Sequence, residues 1–174
     1  MPDEKVKVTP EQMGHILFYL ALLPVNKLEE KDTIKILGLE KSDKFDVYRE
    51  MLTIDMFVII EAIDGFIKDK NLGNQVLDEM HKVYFDTLKE QGDYPKIEIA
   101  TEREFIIARY EEYAKATEEK RGPNWLWPLA NHMLNNLRKE DVKDPSAMMT
   151  LTSLFAPLMN GLPDLVSKYE VVVN

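Results

Sequence analysis

The sequence predicts an all-α protein: a single-domain orthogonal or up-down bundle of about six to seven helices, with the third helix at its centre. Three observations lead there. Met51–Lys68 (MLTIDMFVIIEAIDGFIK) is apolar almost all the way round a helix, and such a helix must be covered by neighbours. Helix-start signatures recur along the chain, as Thr9-Pro10-Glu11-Gln12, Thr101-Glu102-Arg103-Glu104 and Asp144-Pro145. The closing Val171-Val172-Val173 has strand propensity, but no other segment reads as a partner for it.

Thr9 caps a first helix that starts on Pro10, takes Gln12 as its capping-box partner and stops before Pro24. A second helix is expected over Lys27–Leu37, opened by Asn26 and closed at Gly38. Ser42 caps the third, which begins with Phe45, Tyr48 and Leu52 at helical spacing and continues through the central segment. Asn71-Leu72-Gly73-Asn74 ends it and starts the fourth, whose apolar face is Val76, Leu77, Met80, Val83, Tyr84 and Leu88. Asp93–Ala100 reads as an extended linker. Thr101 then opens a helix to about Glu119, with Phe105, Ile106, Tyr110, Tyr113 and Ala114 facing inward.

Lys120–Asn124 reads as a turn. Leu126, Leu129, Ala130, Met133, Leu134 and Leu137 follow at the spacing of an amphipathic helix. A last helix opens at Asp144-Pro145, is kinked by Pro157 and is broken at Gly161-Leu162-Pro163 before a short C-terminal piece.

Composition narrows the function classes. With 174 residues, 45% hydrophobic and 30% charged, the chain suffices for one complete core, so a single domain over 1–174 is expected, its first eight residues a flexible tail. A net charge of −9, with no Lys/Arg stripe among aromatics, argues against nucleic acid as a partner. The absence of cysteine removes disulfides, thiolate nucleophiles, iron–sulfur clusters and Cys-type zinc sites, and fits a reducing cytoplasm. Ile16–Val25 (ILFYLALLPV) imitates a signal-peptide core. Its flanks carry Asp3, Glu4 and Glu11 where positive charge is needed, and it is too short to span a bilayer. A buried helix in a cytoplasmic protein without a membrane segment is the expectation.

Few residues point to chemistry. Glu61 and Asp64 lie in the central apolar helix, where charge is costly unless paired or exposed. They either mark its one solvated edge, with Lys68 as a surface partner of Asp64, or converge with His81 and Arg109 on a cavity. Arg109, beside the inward stripe between Phe105 and Tyr113, either anchors an anionic ligand or pairs with Glu61 or Asp64 across the bundle, and the structural ion pair is the expectation. The three histidines, His15, His81 and His132, lack Glu-x-x-His and His-x-x-x-His spacings, so no metal or other cofactor is expected. No G-x-S-x-G, Walker A or dinucleotide motif occurs.

A binding surface is better represented. Trp125 and Trp127 sit at a helix start between Pro123 and Pro128, and the helix that follows carries His132 and Asn136 on its polar face. At least one tryptophan is expected to belong to the core.

Two consecutive apolar helices, a polar break and a helix carrying Arg109-x-x-x-Tyr113 resemble the ubiquinol–cytochrome c chaperone family of helical assembly factors over the middle third of the chain. The likeness rests on helical spacing. That family's longer motifs are absent, and no functional residue is carried over. The functional expectation is a non-enzymatic protein-association module, a homodimer among the options, with Trp125, Trp127, His132 and Asn136 as its binding residues. A helical enzyme or small-ligand protein using Glu61, Asp64, His81 and Arg109 is the alternative.

Overall fold

The computed structural model describes residues 4–30, 32–90, 98–118, 125–140 and 143–173. Among them the chain forms β1 (Val6–Val8), α1 (Pro10–Lys27), α2 (Thr33–Ile36), α3 (Lys44–Phe66) and α4 (Lys70–Glu90). There follow α5 (Ile99–Glu118), α6 (Leu126–Arg138), α7 (Pro145–Leu154), α8 (Ala156–Lys168) and β2 (Tyr169–Val171). Seven of the helices are substantial and α2 is a single turn, so the protein is an all-α bundle.

The central place of α3 follows from its sequence. It packs against α1, α4, α5, α6 and α8, and Met51, Ile54, Met56, Val58 and Ile59 are completely buried. No helix among the described residues is long and apolar enough to cross a membrane.

Helices α1 and α4 cross at close range. A Cβ on Gly14 would lie 2.7 Å from Glu79 Cβ and 2.8 Å from the backbone nitrogen of Met80. The helices meet there backbone to backbone, and a methyl group can enter only by moving them apart. Gly14→Ala is therefore expected to destabilise the protein by about 1–3 kcal/mol, against its gain in helix propensity. Urea unfolding checks this; an alanine variant as stable as the parent would show that the helices do not meet so closely.

Several boundaries differ from the sequence expectation, for local reasons. Thr9 and Gln12 form the full capping box, but α1 continues through Pro24 to Lys27. Pro24 is buried on the α1 core face, where packing outweighs the one hydrogen bond its missing N–H removes. The predicted second helix contracts to α2, and only Gly38, with φ of 63°, ends it as foreseen. Asp43, not Ser42, caps α3, accepting from the backbone N–H groups of Phe45 and Asp46. Ser42 instead donates to the carbonyl of Leu137.

Asp69 opens α4 by accepting from Asn71 and Leu72, so Asn71–Asn74 already lies within that helix. Likewise α5 begins at Ile99, its first turn closed by Glu102 N–H on the carbonyl of Glu98, and Thr101 is inside the helix. Asp144 caps α7 as expected. The chain breaks at Phe155 rather than kinking at Pro157, which falls in the first turn of α8 where a proline fits. α8 then runs on through Gly161 and Pro163, and the exposed Pro163 leaves the carbonyl one turn back to solvent.

The C-terminal valines have a partner after all. β2 pairs in parallel with β1, Tyr169 beside Val6 and Val171 beside Val8. Part of the expected N-terminal tail is thus strand. The Lys120–Asn124 turn and most of the Asp93–Ala100 linker lie outside the described residues.

Candidate functional site

A network of buried and half-buried polar side chains joins α3, α5 and α6. Its hub is Glu50, 3% exposed, on the α3 face that also carries the buried Val47, Met51 and Ile54. Arg109 Nε donates to Glu50 Oε2 at 2.9 Å, the Tyr113 hydroxyl to Oε1 at 2.5 Å and Asn136 Nδ2 to Oε1 at 3.2 Å. Arg109 also reaches Glu112 at 2.7 Å, and His132 Nε2 lies 3.3 Å from the same carboxylate oxygen.

The geometry fixes the protonation behaviour. Burial lowers the Arg109 pKa, but Glu50 and Glu112 outweigh it and leave the group above its ordinary value. Burial raises Glu112, while the opposing hydrogen bond and charge of Arg109 carry it below the carboxylate norm. Burial, then the charge of Glu50, pushes the Tyr113 hydroxyl well up, so it remains a donor.

A second buried pair stands beside the first. Glu102, fully buried on α5, accepts on Oε1 from Arg49 Nε at 3.1 Å and the Tyr84 hydroxyl at 2.5 Å, and its Oε2 forms an ion pair with Arg49 Nη2 at 2.6 Å. The Arg49 guanidinium lies 3.5 Å from the Phe105 ring centroid, and that of Arg109 lies 5.1 Å from the same centroid.

Two cavities open over these groups. The first, about 800 Å³, is lined by Arg49, Glu50, Phe105, Arg109, Asn136 and Arg138 among others. The second, about 740 Å³, includes Glu112, Trp127, Pro128, His132, Asn136 and Met148 in its lining. Asn136 belongs to both, so the cavities adjoin across the network. Arg138, also in the lining of the first, clasps the carbonyl of Leu37 at 2.6 Å and the carboxylate of Asp144 at 3.1 Å.

The proposed quartet of Glu61, Asp64, His81 and Arg109 is not brought together. Glu61 and Asp64 are exposed, and Glu61 borders a smaller cavity of about 340 Å³ with Trp125 and Phe66. His81 is tied within the bundle, Nδ1 to the carbonyl of Leu77 at 2.7 Å and Nε2 to the Tyr110 hydroxyl at 2.8 Å. Burial lowers its pKa. Arg109 forms an ion pair across the bundle, but with Glu50 rather than Glu61 or Asp64.

The tryptophans divide. Trp125 is half-buried against the core, while Trp127 is 37% exposed and lines the second cavity with His132 and Asn136. Among the described residues no group of three acidic or histidine side chains could hold a metal ion.

Sequence reasoning passed over Glu50 and Glu102, although a signal was present. Glu50 stands three residues from Val47 and four from Ile54, and Glu102 four from Ile106, each in phase with a buried stripe.

Fold and site together define a helical bundle with a charged, hydrogen-bonded floor beneath two adjoining cavities. Comparison with protein-family models, with curated proteins and with solved structures finds no match, so the likeness to the helical assembly factors gains no support.

Proposed function

We propose that the chain is a non-enzymatic protein-association module whose contact surface is the groove between α5, α6 and the start of α7. The observation that carries this reading is the placement of Trp127. It stands partly exposed at the second cavity, beside Pro128, Pro145 and Met148, with His132 and Asn136 in the same lining. A large aromatic held on a helix beside a half-apolar cavity is the form that interface hot spots take. His132 and Asn136 are held by Glu112 and Glu50, so the polar part of the surface is pre-organised. The absence of cysteine fits a cytoplasmic setting for this role.

Trp127→Ala is expected to weaken association at least tenfold while leaving helical content unchanged, since Trp127 is not part of the buried core. Native mass spectrometry and sedimentation across a concentration series read self-association. A photo-crosslinking residue at position 127 reads a different protein partner. A parent protein that stays monomeric and gives no crosslinked protein from position 127 would sink the reading.

A further inference from the structure

We propose that the first cavity binds a small zwitterion, a free amino acid or dipeptide. Its carboxylate is held by Arg49 and Arg109, and its ammonium group by acidic side chains that border the same space, Asp46 among them.

The two guanidinium groups are built for this. Each is fixed from behind by buried carboxylates, Arg49 by Glu102 and Arg109 by Glu50, with Glu112 adding a second hold on Arg109. Both lie against Phe105, which sets their planes. Hydrogen bonds engage Nε of Arg49 and Nε and Nη1 of Arg109, and Arg49 Nη2 lies in ion-pair contact with Glu102 Oε2. Arg49 Nη1 and Arg109 Nη2 have no hydrogen-bond acceptor among the described residues, and both arginines line the cavity. Guanidinium N–H groups on a pre-positioned, half-buried scaffold are suited to a planar carboxylate, which accepts short charge-assisted bonds.

The rest of the lining selects against a simple anion. Glu40, Asp46 and Glu140 border the same space, and the acidic residues around it at least match the basic ones. A dianion such as sulfate gains nothing from such a field, whereas a molecule carrying both charges is satisfied at both ends. Asp46 precedes Arg49 and Glu50 by three and four residues on α3, which places all three on one helix face. The volume of about 800 Å³ lies within the usual range for small-ligand sites and leaves room for a side chain against Phe105.

Isothermal titration tests the proposal, using the twenty free amino acids in pools and the dipeptide Gly-Phe. Sodium propionate, propylamine hydrochloride and sodium sulfate serve as single-charge comparators. The expected result is saturable binding of at least one zwitterion, tenfold or more tighter than any comparator. Asp46→Asn, at an exposed position, should weaken that zwitterion at least fivefold while propionate binds as well as before or better. Arg49→Lys keeps a charge for Glu102 but removes Nη1, and should weaken both, with circular dichroism confirming the fold. No saturable zwitterion binding, tightest binding of sulfate, or indifference to Asp46→Asn would each overturn it. The association reading is tested by other measurements and stands or falls separately.

Discussion

Glu50→Ala is expected to destabilise the protein by about 3–5 kcal/mol, the usual consequence of removing one partner from a buried ion pair. Glu50 accepts from three side chains on two other helices: Arg109 and Tyr113 of α5, and Asn136 of α6. Arg109 is only 22% exposed and would keep its charge with one carboxylate lost. Tyr113 is completely buried, and its hydroxyl would lose its acceptor. For a chain of this size the loss corresponds to a fall in Tm of about 6–20 °C. Replacing Glu50 with its two α5 partners, as Glu50→Leu, Arg109→Met and Tyr113→Phe, should recover most of it, because the penalty comes from unpaired groups and not from missing attraction, and Asn136 keeps Glu112 as an acceptor. Urea midpoints for the single and triple variants decide the matter. A single variant within about 1 kcal/mol of the parent would mean that water reaches the network freely.

Asp55 should show the opposite sign. It is completely buried near the middle of α3, and neither carboxylate oxygen has a hydrogen-bond partner among the described residues. Burial pushes its pKa well above the ordinary carboxylate value. The folded state therefore holds a proton that the unfolded state releases once the pH passes about 4. The Asp55 contribution to stability is greatest below that pH and declines as the pH rises, by up to about 1.4 kcal/mol per unit, until the folded carboxyl itself ionises.

Asp55→Asn removes the proton and so this slope, while Asp55→Leu also removes the unsatisfied polar atoms. At pH 7 the leucine variant should be more stable by about 2 kcal/mol or more. Denaturant melts of parent and variants from pH 4.5 to 8 provide the test. A parent-minus-asparagine difference that does not change with pH would show that Asp55 is hydrated or paired.

Helix types were legible throughout; helix ends were legible only where one residue dominated. Thr9 and Asp144 behave as their motifs say because their caps are local. The stop at Pro24 failed because a buried proline face gains more from the core than its lost hydrogen bond costs. The Thr101 signature failed for a related reason: Glu102 is recruited to Arg49 in the core, and the helix begins earlier. Glu61 and Asp64 are exposed and mark the solvated edge of the central helix, one of the two readings their sequence allowed, while the buried carboxyl near the middle of the same helix is Asp55. Periodicity shows that a charge lies on a buried stripe. It cannot show whether a partner waits on the facing helix, and that partner decides between a network such as Glu50's and an orphan such as Asp55. The choice of Trp127, His132 and Asn136 as neighbours needed only one helix face, and the structure places all three on one cavity.

The pairing of β1 with β2 bears on the order in which the molecule assembles. Lys5 Nζ also reaches the carbonyl of Val166 across this join, 161 residues away in the chain. Closing a loop of that length in a disordered chain costs roughly 4–5 kcal/mol, more than two three-residue strands return. The strands can meet cheaply only after α1 and α8 have docked and brought the two segments side by side. The small sheet is therefore a late clasp, absent from the folding nucleus and dependent on the completed bundle. Any disturbance that loosens α1 from α8 releases the clasp first, well before the centre of α3 opens.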